Sequence, residues 1–267
     1  MIASRLAADL AAARDLAAEA AAGLLSLLAP RGCAVCSAPL PPRSAPSRTQ
    51  GATPRRPWDP LLCPPCRRDV LAVGPACPAC GAPRPPFSDP TPRCRSCAGR
   101  PRGAVDGTIA LLRYRRGARR LLHRVKYAGR DDVCAPLGRA LGRRVLEVLG
   151  GAPPADLVVA AVPLHLLRRW SRGFNQAERL AEGVALELER PLVQALARRR
   201  RTPPLFGVRR EARDAVVAGA FRGRLALGGR PVLLVDDIRT SGATLRAAAT
   251  ALKARGAGRV TAAVAAR

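Results

Sequence analysis

Two adjacent carboxylates, Asp236 and Asp237, follow a run of aliphatic residues and precede a loop rich in hydroxyl groups. Residues 231–235 are predicted to form a buried parallel strand, because Pro231 is followed only by Val and Leu. Ligands of open parallel sheets bind beyond the carboxyl ends of the strands, so both acids are expected to reach one ligand. Two carboxylates suit the vicinal hydroxyls of a sugar or a metal ion.

The loop after the acids has the composition of a phosphate site. Hydroxyl and backbone N–H groups of residues 240–244 would meet an anion at the start of a helix predicted at residues 243–255. Gly242 lets the backbone approach the anion, and Gly256 is the expected C-cap. A nucleoside triphosphate loop requires a Lys that is missing here. A site for a metal alone and a solvated loop without a ligand are the alternatives.

A second loop follows another predicted strand, residues 156–162, which Pro163 ends. It combines a turn, three arginines and the start of a helix, so a second anion site suited to pyrophosphate is predicted there. A surface arginine cluster and a merely solvated histidine are the alternatives. The candidate residues are Leu164, His165, Arg168 and Arg172.

Eight of the nine cysteines form four Cys-x-x-Cys pairs. Two such pairs can close a tetrahedral zinc site, so four pairs predict two structural zinc ions with no open position for catalysis. Sequential pairing is expected, and interleaved pairing is left open. Gly81 is expected in the left-handed turn of a zinc knuckle. The pairs are Cys33 with Cys36, Cys63 with Cys66, Cys77 with Cys80, and Cys94 with Cys97.

Three segments are predicted along the chain: an N-terminal helix in residues 1–29, a double zinc ribbon at 30–102 and an α/β domain at 103–267. Residues 41–60 are rich in Pro, Arg and Ser, which favours a disordered insertion in the first ribbon. Residues 83–92 are expected to form a similar loop in the second. The N-terminal helix is expected to dock on protein, with a membrane-surface role as the alternative.

The α/β domain alternates predicted strands with predicted helices, which favours a parallel sheet. The expected strands are residues 106–114, 156–162, 193–197, 231–235 and 260–264. The expected helices are residues 119–126, 137–149, 174–189 and 243–255. His123 and Cys134 are expected to pack or to face solvent.

The net charge is +27, and residues 105–267 carry 32 basic and 13 acidic side chains. A polyanionic partner, above all nucleic acid, is one interpretation. A pocket for a highly phosphorylated small ligand on a solvated basic surface is the other. The run Arg198–Arg201 is interpreted as a solvated loop, with nucleic-acid contact as the alternative, and Tyr114 and Tyr127 lie among cations where bases could stack.

A cytoplasmic location without a membrane span is predicted. No stretch of about 18 apolar residues exists. Acidic residues precede the first apolar patch, which argues against a secretory signal, and paired cysteines at zinc-ligand spacing fit a reducing compartment.

In combination, these motifs resemble the ComF family of competence-associated phosphoribosyltransferase-like proteins. The resemblance covers roughly residues 24–267. Its last motif, Asp-Asp-x-x-Thr-Ser-Gly-Ala-Thr at 236–244, is similar to the phosphoribosyl pyrophosphate (PRPP) signature of type I phosphoribosyltransferases. The other motifs are the double four-cysteine ribbon, Lys-Tyr-x-Gly at 126–129, Val-Pro-Leu-His at 162–165 and Arg-Arg-x-x-Arg-Gly-Phe-Asn-Gln-Ala at 168–177.

The resemblance implies a type I phosphoribosyltransferase-like sheet flanked by helices, preceded by a small double zinc-ribbon domain. It implies that PRPP binds with Mg²⁺ and that Asp236 and Asp237 hold the ribose hydroxyls as the catalytic pair. Lys126, Arg168 and Arg172 would balance charge on pyrophosphate. The residues implied to cradle the 5′-phosphate are Arg239, Thr240, Ser241, Gly242, Ala243 and Thr244.

Two functions follow from the resemblance and the charge. The first is a phosphoribosyltransferase with an unidentified acceptor and a role in DNA uptake. The second is a non-catalytic single-stranded-DNA-binding protein that uses the PRPP pocket as a sensor or remnant; Leu205 and Val216, where the family usually carries amides, favour it. A zinc-stabilised scaffold is a third interpretation. A DNA-uptake helicase or a recombination protein is the expected type of protein partner.

Overall fold

The computed structural model describes residues 32–40, 58–89, 92–99, 101, 103–164, 173–200, 202, 207–209 and 212–267. The predicted N-terminal helix lies outside these residues, as do His165, Arg168, Arg172 and Leu205. The predicted disordered insertion at 41–60 is described only from residue 58 onward. That end of the prediction is wrong, because Trp58 is buried and Asp59–Leu61 form a 3₁₀ helix.

Four parallel strands form the central sheet, and a two-stranded antiparallel sheet lies beside it. The strands are β1 (Gly107–Leu112), β2 (Val158–Ala161), β3 (Leu196–Arg198), β4 (Phe221–Gly223), β5 (Val232–Ile238) and β6 (Val260–Ala266). The spatial order of the central sheet is β1-β6-β5-β2, and β3 pairs with β4. Every residue of β1 is buried, as expected for a strand covered on both faces.

Helices cover both faces of the parallel sheet, which confirms the predicted fold class. Within the described ranges the helices are α1 (Pro64–Asp69), α2 (Arg116–Tyr127), α3 (Cys134–Leu149), α4 (Gln176–Leu188), α5 (Arg213–Val217) and α6 (Ala243–Lys253). One apolar cluster joins α2, α3 and α4 to one face of the sheet, and a second joins α6 to the other. In α2 the buried stripe contains Leu121, Leu122 and Val125, as its periodicity predicts.

The structure corrects two strand predictions. Strand β5 continues through both acids to Ile238, because its neighbour β6 keeps pairing with it up to Ala266. The strand predicted at 193–197 is Leu196–Arg198, and its partner is the unpredicted β4 rather than the parallel sheet. Strands β3 and β4 are each only three residues long, which is too short for a periodic pattern in the sequence.

The cysteine-bearing segments pack directly against the α/β elements. The N–H of Val73 donates to the carbonyl of Leu111 at 2.8 Å, so chain after α1 runs along strand β1. On the neighbouring helix α2, a Cβ at Gly117 would lie 2.6 Å from the carbonyl oxygen of Asp69. Only glycine permits this approach between α2 and the end of α1.

The packing of α3 against α4 generates a stability prediction. A Cβ at Gly138 would lie 2.4 Å from the carbonyl oxygen of Leu180. Gly138→Ala gains helix propensity, but overpacking against backbone costs more, so we expect a net loss of about 1–3 kcal/mol. Urea unfolding measures it, with Arg139→Ala on the exposed face of the same helix as the control. Equal stability of both variants would contradict the close packing.

Candidate functional site

A cavity of about 320 Å³ opens at the carboxyl ends of β2 and β5, the edge where the sequence places its two ligand loops. A volume of this size suits a small organic ligand. The predicted site residues that line it are Lys126, Leu164, Asp236, Asp237, Thr240 and Thr244.

The two acids have different surroundings although they are neighbours. The carboxylate of Asp237 lies 2.5 Å from the ammonium group of Lys126, and both side chains are mostly buried. The carboxylate of Asp236 accepts a hydrogen bond of 2.9 Å from the backbone N–H of Asp237. Helix α2 therefore places a cation at the end of β5, where Lys126 of the Lys-Tyr-x-Gly motif pairs with Asp237.

Asp236 has an unusual protonation equilibrium. Burial raises its pKa to about 8, and the charge of Asp237 acts in the same direction. The backbone N–H of Asp237 and the cations Lys126 and Arg198 oppose that rise. A carboxyl group with this pKa titrates near neutral pH, and such shifted pKa values are frequent at functional sites.

The loop after β5, which is the predicted anion cradle, turns into helix α6 at Gly242. Gly242 adopts a positive φ of 80° and immediately precedes helix α6. The hydroxyl of Ser241 accepts a hydrogen bond of 3.4 Å from the N–H of Ala243. Arg246 donates to the carbonyl of Ser241 at 2.9 Å and pairs with Asp214, which ties the loop to helix α5. The role of Arg246 was not predicted.

The resemblance groups Arg239 with the phosphate ligands, but its side chain lies outside the cavity that the acidic pair borders. Its backbone N–H donates to the carbonyl of Ala266 at 3.0 Å, and its guanidinium donates to the hydroxyl of Thr108. Burial lowers the pKa of Arg239, whereas the charges of Cys80 and Cys97 act to raise it. Its side chain lines an adjacent cleft together with Tyr114, Arg213, Thr240, Ser241 and Arg267.

Of the five residues predicted to bind pyrophosphate, Leu164 and Lys126 are described, and both line the cavity. Asn175 caps helix α4 through a 3.1 Å bond from the N–H of Ala177, and its amide donates to the carbonyl of Val162 at 3.2 Å. It therefore joins the two ends of the segment that contains His165, Arg168 and Arg172, which lies outside the described residues.

Several pocket residues were missed or misjudged from the sequence. Asn175, Gln176 and Thr202 are buried polar residues that line the cavity. Arg198 was interpreted as part of a solvated run, yet it belongs to β3, lies 5.2 Å above the ring of Phe221 and bonds to Thr202. The Asn-Gln of the family motif at 175–176 was the available signal for the first two.

The eight paired cysteines form two clusters with the sequential pairing that was expected. The first contains Cys33, Cys36, Cys63 and Cys66, and the second contains Cys77, Cys80, Cys94 and Cys97. The sulfurs of Cys36 and Cys63 are 3.6 Å apart, and those of Cys80 and Cys94 are 3.7 Å apart. Four thiolates about 2.3 Å from a tetrahedral ion lie about 3.8 Å from one another, so both clusters fit such an ion.

One thiol in each cluster has a lowered pKa, which favours the thiolate form that binds metals. Burial raises the pKa of Cys33 and of Cys77, but backbone N–H groups outweigh burial and bring both values down to about 6. The N–H of Cys63 points at the sulfur of Cys33 from 3.4 Å, and the N–H of Cys94 points at the sulfur of Cys77 from 3.3 Å.

Gly81 has the predicted left-handed conformation, with φ of 69°. The ninth cysteine, Cys134, is buried, and burial raises its pKa to about 12.

Comparison with known proteins identifies the family. The phosphoribosyl transferase domain family matches residues 175–267. A Salmonella typhi protein named DNA utilization protein YhgH is 31% identical over 202 residues, which cover 74% of this chain and 87% of that protein. Competence protein F of Haemophilus influenzae is 32% identical over 91 residues, or 33% of this chain and 40% of that protein. The chain belongs to the ComF family.

Another relative of this ComF-family chain covers less of it. A DNA utilization protein YhgH of Escherichia coli is 32% identical over 145 residues, or 52% of the chain and 63% of that protein. None of the helices in the described ranges has the length and apolarity that crossing a membrane requires.

The protonation of Asp236 generates a prediction about pH. Its folded-state pKa is above the ordinary value near 3.8, so the folded protein holds an extra proton up to about pH 8. Stability contributed by this group is therefore lost as pH rises toward 8. We expect Asp236→Asn to melt progressively above the wild type between pH 6 and pH 9. Asp156→Asn, which changes an exposed carboxylate, should follow the wild type. A constant difference across this range would contradict the raised pKa.

The two clusters generate a prediction about metal content. Intact-protein mass spectrometry under native conditions should find two metal ions per chain, and Cys66→Ser or Cys97→Ser should each lose one. Cys66→Ser should destabilise the fold more, because the first cluster belongs to the main apolar core, whereas Cys94 and Cys97 are partly exposed. The reverse order of melting temperatures would refute this assignment.

Proposed function

We propose that this ComF-family protein binds PRPP as its Mg²⁺ complex and transfers the phosphoribosyl group to an acceptor that remains to be identified. One observation carries the proposal: the acidic pair, Lys126, Thr240 and Thr244 border one cavity at the end of β5. Sugar hydroxyls, charge balance and phosphate contacts are thus available within the dimensions of one small molecule.

In this proposal the acids bind the ribose. Asp236 and Asp237 hydrogen-bond to the 2′ and 3′ hydroxyls, and the charge of Asp237 favours the positive charge that develops at the anomeric carbon as pyrophosphate leaves. Lys126 holds the carboxylate of Asp237 in position before the ligand arrives. Most of the rate enhancement would come from positioning and from prearranged charge.

The loop after β5 binds the 5′-phosphate in this proposal. Residues 240–244 offer hydroxyls and backbone N–H groups at the start of α6, where the helix dipole favours an anion. Gly242 keeps this approach open, since its φ of 80° is unfavourable for other residues. Mg²⁺ would enter with PRPP and neutralise pyrophosphate charge.

The acceptor is proposed to enter along the wall formed by Gln176, Arg198 and Thr202. These side chains face the cavity from α4 and from the chain around β3. Buried polar groups of this kind discriminate strongly between ligands that satisfy their hydrogen bonds and ligands that do not. We therefore expect a polar, hydrogen-bonding acceptor.

Zinc is the proposed metal of both four-cysteine clusters. Closed sites with four thiolates at tetrahedral spacing favour zinc and leave no position for substrate. Its contribution is structural, because bound metal stabilises the folded ribbons relative to the unfolded chain.

Calorimetric titration with Mg·PRPP tests the proposal. Lys126→Met should weaken binding at least tenfold, since it leaves Asp237 without its charge partner in a mostly buried site. Lys253→Met is the matched control, because Lys253 is the only other lysine and also pairs with an aspartate, Asp106. Absence of binding in the wild type would refute the proposed function, and equal binding by both variants would refute the role of Lys126.

A second candidate function, binding of single-stranded DNA, is supported by helix α2. Arg116, Arg119 and Arg120 lie on its exposed side and border one surface cleft with His123. The net charge of +27 and relatives named for DNA utilization favour the same ligand. Arginines of this kind would contact phosphates and make binding strongly dependent on salt.

Fluorescence anisotropy with single-stranded DNA at several salt concentrations tests this function. Arg116→Ser combined with Arg119→Ser should lower the salt slope by about 1.4 and leave Mg·PRPP binding unchanged. Arg139→Ser combined with Arg259→Ser removes the same charge from exposed positions elsewhere and should change the slope less. Asp236→Ala should abolish PRPP binding and keep DNA binding. Equal loss of both activities would exclude two separate sites.

A further inference from the structure

The second cysteine cluster is attached to the α/β domain by hydrogen bonds to three successive carbonyl groups. The N–H of Thr108 donates to Pro78 at 3.0 Å, and the hydroxyl of Thr108 donates to Ala79 at 3.1 Å. The guanidinium of Arg267 donates to Cys80 at 3.0 Å. Two residues at the sheet thus hold the knuckle that carries the ligands Cys77 and Cys80.

The same two residues also hold Arg239. The hydroxyl of Thr108 accepts a hydrogen bond from the Arg239 guanidinium. The Nη1 of Arg267 donates to the carbonyl of Arg239 at 3.4 Å. Two routes of direct contact therefore run from the cysteine knuckle to the first residue of the proposed phosphate loop.

Arg239 lies directly beneath that loop. Its guanidinium would be 3.1 Å from a Cβ at Gly242, so the side chain supports the glycine whose positive φ shapes the anion cradle. A change in the position of Arg239 must therefore change the position of Gly242 or open a gap under it.

The second cysteine cluster can also balance the charge of Arg239. Across the described ranges, no carboxylate forms an ion pair with its guanidinium. Four thiolates and one divalent ion carry a net charge of about −2, and Cys80 and Cys97 are near enough to act on Arg239 electrostatically. A metal-loaded cluster would thus supply the negative charge that a half-buried arginine requires.

We propose that the second metal cluster positions the phosphate loop through Thr108, Arg267 and Arg239, so that metal occupancy and PRPP affinity are thermodynamically coupled. Arg239 is then a positioning residue rather than a phosphate ligand. This inference rests on the proposed binding of PRPP. By reciprocity, PRPP must strengthen metal binding at the second cluster by the same factor.

Thr108→Val is the variant that tests the route, because it keeps side-chain volume and the backbone bond to Pro78 while it removes both hydroxyl bonds. We expect Mg·PRPP affinity to fall about tenfold, as for loss of a hydrogen bond to a charged group. Thr261→Val, on the adjacent strand β6, is the matched control and should bind like the wild type. Both variants should retain two metal ions.

A double-mutant cycle separates positioning from general destabilisation. Arg239→Met should weaken PRPP binding, and adding Thr108→Val to it should cause little further loss, because Thr108 acts through Arg239. Additive losses would overturn the proposed route.

Metal release gives a readout independent of catalysis. Mg·PRPP should slow the release of one of the two metal ions to a chromogenic chelator, and this protection should be smaller in Thr108→Val, which keeps the route through Arg267. Protection of neither ion, in a wild type that binds PRPP, would refute the coupling and leave the proposed function intact.

Hydrogen exchange covers the remaining case, in which the wild type does not bind PRPP. The amides of residues 240–244 should exchange faster in Cys97→Ser than in the wild type, whereas those of β2 should be unchanged. Equal exchange of the loop in both proteins would refute the positioning role, whatever the protein binds.

Discussion

The burial of two adjacent carboxylates at the end of β5 is the constraint on which the rest of the site depends. Ionised acids in a mostly buried position are costly unless cations or hydrogen bonds compensate them. Here the compensation is divided: Lys126 pairs with Asp237, and Asp236 shifts toward its neutral form. A ligand rich in hydroxyl groups would complete the set of partners that the protein leaves incomplete.

The two cysteine clusters contact different elements next to this pocket. The first is packed into the core that holds helix α2, and Arg130, just after that helix, donates to the carbonyl of Gly32 at 3.2 Å. The helix that carries Lys126 is thereby fixed from one side. The second contacts the residues that hold Arg239 beneath the loop. Metal ions bound in these two closed sites would make the elements around the pocket more rigid.

Much of this arrangement could be predicted from sequence because its signals are local. The aliphatic run before Asp236, the glycine before α6 and the spacing of the cysteines each specify structure within a few residues. The pairing of Asp237 with Lys126 joins residues on different elements, and no local pattern reports it. The orientation of Arg239 depends on Thr108, which lies on strand β1, far away in the chain. Its sequence position groups Arg239 with the phosphate loop, but its hydrogen bonds connect it to Thr108 and Arg267. Short elements such as β3 and β4 are fixed by tertiary contacts rather than by periodicity.

The order of strands in the sheet has a consequence for how the chain folds. Strand β1 has β6 as its neighbour, with Gly107 opposite Thr261, so this pairing spans roughly 150 residues and is expected to form slowly. The segment after α1 contacts β1 much earlier in the chain, at Val73 with Leu111 and at Leu71 with Arg113. During synthesis, β1 can therefore contact the segment after α1 long before β6 has been made. That early contact covers backbone groups of β1. Without it, this apolar strand would stay exposed and prone to aggregation until β6 has been synthesised.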